Sequence, residues 1–381
     1  MIVRIRIRKM YGMIQQKNAP KLARLILFTL LIILLILAPG CTLQEPPGDV
    51  LLEQTLEESD LPAPPSSFLT DQEFEALSTI ERVDEYPLYV MTLKGPFRSR
   101  HESGNAAESP EIHRGFTYFD RDRWACSLFA ALGGPGSKVF GRNFDWRFSP
   151  ALLLFTHPPD GYASVSMVDI DYLLDESSTN ALLELNIDER TSLLDAPFWP
   201  FDGMNERGVA IGMAAVPASK LPFYDARETM DSLQIMREVL DHASSTIEAV
   251  EIFKTVNIDM GGGPFLHYLI TDAAGKAVII EFLDGSMVEV WQEDPWLAAT
   301  NYLLSDEGKG SGDRCWRYET IAERMHANDG RMDSSTAMSI LREVAQENTQ
   351  WSVVYDVSER TIEIVMGRDF QTTHKFYLDK K

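Results

Sequence analysis

The chain has 381 residues, 45% of them hydrophobic and 24% charged, an ordinary globular composition that can build a sizeable core in one large or two ordinary domains. Its formal net charge of -22 repels phosphate and argues against a nucleic-acid partner. Three cysteines are too few for a disulfide framework, and seven scattered histidines offer no paired ligand spacing, so the sequence supports neither a metal site nor a cofactor.

At the amino terminus, Arg4, Arg6, Arg8, Lys9, Lys17, Lys21 and Arg24 precede an uncharged apolar run over 25–38. A basic segment, an apolar segment and then small residues is the order of a secretory signal, and the run is short for a membrane span. It ends Leu37-Ala38-Pro39-Gly40-Cys41, similar to a bacterial lipoprotein cleavage box, although the Leu stands one position early and Pro39 is unusual there. The expectation is a signal peptide over 1–40, lipidation at Cys41 and export, as a membrane lipoprotein or an extracellular or periplasmic protein. Simple secretion and an uncleaved anchor are the alternatives.

Residues 42–67 are rich in Pro, Glu and Asp and poor in apolar periodicity, so 41–70 reads as a disordered tether. A helical pattern follows over 71–80 and a strand over 86–93, rich in aromatic and β-branched residues. The polar stretch 98–114 reads as an exposed loop. Short apolar or alternating runs at 127–132, 138–142, 152–156 and 163–169, separated by Gly and Pro, predict strands. Another strand is predicted at 209–216, after a turn at 205–208. Helical periodicity marks 231–243 and 246–255. Strands resume at 267–271, 277–282 and 287–291, joined by turns at 272–276 and 284–285. Helices are predicted at 317–326 and 335–346, the second capped by Ser334 or Ser335, and a last hairpin pairs 352–356 with 361–365. Strands, then helices, then strands, with no internal repeat, suit a layered α+β fold.

Taken alone, Cys126 in Trp124-Ala125-Cys126-Ser127 reads most simply as a buried thiol, or as half of a Cys126–Cys315 disulfide in an oxidising compartment. Its neighbourhood changes the reading. Sixteen residues on, Arg142-Asn143-Phe144-Asp145 brings a guanidinium and a carboxylate near the end of the next strand, where a hairpin return sets both beside the thiol. An adjacent cation favours the thiolate. A cysteine at a free amino terminus carries its own general base, because an α-amine titrates near about 7.7–8.0 and a lysine does not. Such an enzyme needs no partner histidine, and none stands at a suggestive position. The plainer readings make Arg142 and Asp145 a surface ion pair and Asn301 a strand-end cap. Asn205 reads as a turn former, Glu206 and Arg207 as solvated, and 261–263 as a loop. Tyr162, Trp199, Phe201 and Trp296 are core residues or line an acyl pocket.

The spacing from Cys126 to Arg142-Asn143 and Asp145, the block Phe201-Asp202-Gly203-Met204-Asn205-Glu206-Arg207-Gly208, and Ala299-Thr300-Asn301 together resemble the choloylglycine hydrolase (linear amide C–N hydrolase) superfamily. The resemblance runs from Cys126 to about Phe376, with Tyr89-Val90-Met91-Thr92 extending it weakly upstream. It implies a four-layer αββα sandwich that activates itself by cleaving Ala125–Cys126. A propeptide segment, 71–125, is then removed or retained, and 126–381 is the catalytic domain. Cys126 corresponds to the nucleophile, Arg142 and Asp145 to the charges flanking the thiol and α-amine, and Asn301 to an oxyanion-hole residue. Arg317 corresponds to the late active-site arginine, with Arg314 as the alternative. A second oxyanion asparagine is replaced here by Ala215, which leaves that donor open between a backbone N–H and a differently built hole. The implied activity is hydrolysis of a small-molecule N-acyl amide through a thioester, with no cofactor. The alternatives are an acyltransferase with an amine acceptor and an inactive binding lipoprotein of the same fold.

Overall fold

The computed structural model describes residues 69–97, 125–175, 178–179, 181–261, 263–306 and 315–378. The chain divides into two units, Met1–Pro64 and Pro65–Lys381, and every described residue lies in the second. The leader, Cys41, the 98–114 stretch and Arg314 lie outside the described residues.

In chain order the elements begin with helix α1 (Asp71–Ser78) and strands β1 (Glu81–Asp84) and β2 (Leu88–Lys94). Strands β3 (Ser127–Ala131), β4 (Val139–Asp145), β5 (Ala151–His157) and β6 (Ser164–Asp169) follow. After 3-10 turns at Ile170–Tyr172 and Asp188–Phe198 come β7 (Asp202–Asn205), β8 (Ala210–Val216) and β9 (Thr229–Asp231). Helices α2 (Gln234–His242) and α3 (Thr246–Thr255) lead into β10 (Asn257–Asp259), β11 (Phe265–Thr271), β12 (Ala277–Leu283), β13 (Ser286–Trp291) and β14 (Trp296–Ala299). The chain ends with α4 (Trp316–Asn328), α5 (Ser334–Glu343), β15 (Thr349–Asp356), β16 (Thr361–Met366) and β17 (His374–Tyr377).

The strands form a nine-stranded sheet, ordered β1-β2-β5-β6-β7-β8-β11-β12-β13, and a six-stranded sheet, ordered β14-β3-β4-β15-β16-β17; β9 and β10 pair separately. Helices α2 and α3 cover the first sheet, α4 and α5 the second, and the sheets face each other through β3, β8 and β11. This is the expected α+β arrangement in four layers, αββα.

Coverage on both faces explains the sequence texture. Every position of β3, β4 and β15 is buried, so these strands read as continuous runs rather than alternating ones. The two-residue period still sorts the side chains. Leu128 and Ala130 enter the core between the sheets, whereas Phe129 and Ala131 pack with Ile321, Met325 and Leu341 under the helices. Gly212 lets the sheets approach: a Cβ there would lie 2.8 Å from the Phe140 ring. Gly208 closes the turn after β7 at φ +79, a conformation in which a side chain is strained.

The segment upstream of Cys126 is built into the larger sheet. Helix α1 starts with a capping box, Thr70 with Glu73. Strand β2 lies between β1 and β5, parallel to β5. Its Tyr89, Met91 and Leu93 join Leu77, Leu152, Leu154 and Leu193 in a third apolar cluster.

Several boundaries differ from expectation. Helix α2 begins at Gln234 rather than 231, because 229–231 pairs with β10 and the Asp231 carboxylate accepts the Leu233 N–H. The cap of α5 is Asp333, which accepts from the Thr336 N–H, rather than Ser334 or Ser335. Strands β7 and β14 are four residues each, too short to show periodicity, and β17 alternates only between half-buried and exposed positions at a sheet edge.

Candidate active site

Cys126 stands immediately before β3, and β3 pairs with β4 so that Ser127 faces Asn143 and Leu128 faces Arg142. Its parity with Leu128 and Ala130 turns the side chain into the core between the sheets, where Cys126 is 2% exposed. Arg142 and Asp145 are three positions apart on β4, so they leave opposite faces of the sheet. The hairpin return brings Arg142 to the thiol on one face, while Asp145 lies on the other face and acts on Cys126 through its charge.

On the inner side, Arg142 is fully buried and spans the gap between the sheets. It donates to the Phe201 carbonyl at 2.7 Å, to the Met213 carbonyl at 3.1 Å and to the Asp202 carboxylate. The same guanidinium lies 3.9 Å from the Cys126 sulfur. Asp202 also accepts from Trp351 Nε1 at 3.2 Å and Tyr355 Oη at 2.5 Å.

On the outer side, Arg317 leaves the first turn of α4. It donates to the Cys126 carbonyl, to Ser127 Oγ at 3.0 Å and to Asn301 Oδ1 at 2.9 Å. Asn301, in the loop after β14, accepts the Cys126 N–H at 2.8 Å through that same Oδ1 and donates from Nδ2 to the Ala215 carbonyl at 2.8 Å. Two donors converging on one atom and an acceptor at the other fix the amide orientation. Asp145 accepts from Thr349 Oγ1 at 2.5 Å through one oxygen. Its other oxygen is buried without a hydrogen-bond donor among the described residues, and Arg317 approaches it only to 4.0 Å.

The electrostatics follow from this geometry. Burial pushes the Cys126 thiol above its ordinary range; Arg142 opposes the rise and the Asp145 charge adds to it. Burial also pushes Asp145 up to about 7, against the Thr349 hydrogen bond and the charges of Arg317 and Arg142. Among the described residues no cluster of His, Cys, Asp or Glu could hold a metal ion.

The structure thus gathers Ala125, Cys126, Arg142, Asp145, Asn301 and Arg317 at one place. Cys126 and Cys315 are both free thiols rather than a disulfide. Asn205 is buried and purely internal, donating to the Leu240 and Ala243 carbonyls and accepting from the Arg207 and Val209 N–H groups. Trp199 and Phe201 line an apolar pocket with Tyr172, Met213, Leu233 and Leu266, next to the Arg142 cradle. Tyr162 instead lies under Arg207, and Trp296 packs against His326. Sequence reasoning missed Asp202 and Thr349. Asp202 stood inside a recognised block as an unassigned carboxylate, whereas Thr349 carried no signal at all.

Residues 198–381 match the family model described as Acyl-coenzyme A:6-aminopenicillanic acid acyl-transferase, a span that takes in Asp202, Asn301 and Arg317 and begins after Cys126, Arg142 and Asp145. Among solved structures, a mutant conjugated bile acid hydrolase from Clostridium perfringens is similar at 16% identity, over 67% of this chain and 93% of that one, with a TM-score of 0.48. A penicillin V acylase from Agrobacterium tumefaciens is similar at 17% identity, over 67% and 86%, with a TM-score of 0.47. No curated protein sequence matches the chain. Over residues 198–381 the chain is therefore similar to the penicillin acyltransferase-like family.

Proposed function

We propose that this protein is a cysteine N-terminal-nucleophile enzyme that cleaves its own Ala125–Cys126 bond and then acts on a linear N-acyl amide. The observation that carries this reading is the attention given to one residue. The Cys126 sulfur faces Arg142, its N–H is held by Asn301 and its carbonyl by Arg317. A cysteine that only filled the core would need none of these.

In the uncleaved chain the thiol attacks the Ala125 carbonyl while its proton passes to the Cys126 nitrogen. The C–N bond breaks and a thioester forms; water then opens the thioester, leaving an Ala125 carboxylate and a thiol beside a free α-amine. The nitrogen that departs is the one Asn301 already holds at 2.8 Å. Asp145, with one unpartnered oxygen and a pKa near neutrality, suits the transient proton transfers. In turnover the thiol attacks the substrate amide and the α-amine relays the proton to the leaving nitrogen. The side-chain amide nitrogen of an asparagine carries two hydrogens. With one of Asn301's directed to Ala215, the other is the proposed oxyanion donor, a contribution of about 3 kcal/mol. The apolar pocket beside Arg142 supports an apolar acyl group. Strands β1 and β2 lie upstream of the cleaved bond, and their sheet pairing does not depend on it, so the upstream piece stays bound.

The matching family's description supports a second reading of the last step, in which an amine rather than water resolves the thioester. The leader adds export with a lipid anchor on Cys41; fatty-acid labelling of the wild type and not of Cys41→Ala tests that part. The central test is intact-mass and N-terminal analysis of the purified protein. The wild type should yield a fragment beginning Cys126-Ser127-Leu128 that copurifies with the upstream piece, while Cys126→Ala stays full length and inert. Adding an amine acceptor should divert acyl product to a new amide only in the acyltransferase case. An active enzyme that remains uncleaved at this bond overturns the mechanism.

A further inference from the structure

The Asn301 loop is held from the opposite sheet by a buried carboxylate that the reaction does not use. Glu281 on β12 and His267 on β11 are cross-strand neighbours in the nine-stranded sheet, both buried. His267 Nδ1 lies 3.1 Å from Glu281 Oε1, and because an ionised carboxylate only accepts, the ring nitrogen is assigned as the donor of this contact. The remaining acceptor capacity of Glu281 turns away from its own sheet. Oε1 accepts the Leu304 N–H at 2.9 Å and Oε2 accepts the Ser305 N–H at 2.8 Å. These are consecutive backbone donors, three and four residues after Asn301, in the loop leaving β14 of the other sheet.

A buried carboxylate receiving two adjacent backbone N–H groups is a short, charge-assisted clamp. Burial works against its charge, yet His267 first and then Ser305 hold the Glu281 pKa below the usual carboxylate value. At its start the same loop is bounded by the end of β14 at Ala299 and by Arg317, which grips Asn301. Clamping the other end leaves the Asn301 side chain little room to leave the Cys126 nitrogen. An unclamped loop would let Asn301 shift by an ångström, enough to cost roughly 100-fold in rate.

We infer that Glu281, seated on His267, is a positioning residue that acts on the reaction through Asn301 by fixing the loop of residues 301–305. The inference rests on the function proposed above, and its test separates the two.

The first measurement is amide hydrogen exchange on the Cys126→Ala chain, which needs no activity. Glu281→Gln keeps the volume but replaces one acceptor oxygen with a donor, and should speed exchange at Leu304 and Ser305 by about tenfold or more while the β11 and β12 amides keep their protection. Unchanged exchange at those two amides overturns the clamp. The second measurement is a cycle on self-cleavage and turnover. Glu281→Gln should lower kcat by roughly 10- to 100-fold with KM little changed, and should slow Asn301→Ala by less than about twofold. Equal slowing in both backgrounds, or a lowered melting temperature with normal kcat, overturns the role through Asn301. Should Glu281→Gln fail to fold, Glu281→Asp, which keeps the buried charge but draws it back from the loop, makes the same comparison. A wild type that neither cleaves nor turns over an N-acyl amide sinks the proposed function, and the exchange result then judges the clamp by itself.

Discussion

The two sides of Cys126 hold the same kinds of charge in opposite states. On the inner side, Arg142 meets one carboxylate and two carbonyls, and Asp202 receives donors from Arg142, Trp351 and Tyr355. Both oxygens of that carboxylate are satisfied, and Arg142 Nε is the one nitrogen of the guanidinium without a hydrogen-bond partner among the described residues. On the outer side, Asp145 has one hydrogen bond, one bare oxygen, and a guanidinium 4.0 Å away whose donors are directed at Cys126, Ser127 and Asn301. Burial is nearly complete on both sides, so solvent does not make the difference; partner count does. A buried carboxylate with donors on both oxygens fixes structure, whereas an underpaired one drifts toward neutral pH and can move a proton.

Breaking the side with the fully bonded carboxylate should produce the largest loss of stability. Asp202→Asn leaves Arg142 buried with its charge uncompensated and should cost about 3–5 kcal/mol in urea unfolding. A change within experimental scatter would mean that Arg142 finds another counter-charge and that the inner side is not the rigid one.

Breaking the underpaired side should do the reverse. The Asp145 pKa of about 7 in the folded chain lies above the ordinary carboxylate value near about 3.9, so the folded state holds its proton more tightly than the unfolded state does. Between those two values the unfolded chain binds fewer protons, and stability falls as pH rises from about 4 to about 7. Full ionisation of Asp145 therefore costs at most roughly 4 kcal/mol. Asp145→Asn should remove that slope, unfolding at higher urea than the wild type at pH 8 and with no advantage near pH 4. Its turnover should fall by about 100-fold or more. Loss of stability at pH 8 with activity retained would make Asp145 an ordinary structural carboxylate.

Asn205 sharpens the contrast at smaller scale. It lies in a block that resembles the superfamily, yet all its hydrogen bonds are internal, so Asn205→Ala should cost about 1–3 kcal/mol and leave kcat unchanged. A fall in kcat without a fall in stability would move it into the site.

The sequence carried the layered fold because sandwich-core strands and amphipathic helices leave long, redundant patterns. It carried Cys126, Arg142 and Asp145 because a hairpin makes neighbours of residues sixteen apart. What it hid was sidedness and closure. Nothing local says that Arg142 crosses to Asp202 on the other sheet, because that contact depends on how the two sheets stack. Glu281 looked like one more charge in a strand, and only the return of the chain from β14 brings the Leu304 and Ser305 N–H groups to it. Asn301 was legible as a residue but not its contact with Ala215, the position where the resemblance pointed to a second oxyanion asparagine.

Thr349 offers the finest adjustment. It faces Asp145 across β4 and β15 at the point where the register shifts before Trp351, a local irregularity that re-aims a side chain. Its hydroxyl donates to Asp145 at 2.5 Å and accepts the Gln346 N–H at 2.8 Å. That donation is the strongest influence holding the Asp145 pKa down against burial. Thr349→Val keeps the shape and removes the hydroxyl, so the Asp145 pKa should rise further and the acid limb of the rate profile should move to higher pH. The shift should be about one unit or less, with the plateau kcat preserved, because no group that meets substrate has changed. A pH–rate profile reads both quantities. An acid limb that stays where it was would assign that limb to a group other than Asp145. A limb that moves downward would mean that Thr349 stabilises the protonated carboxyl and that the proton runs the opposite way along this contact.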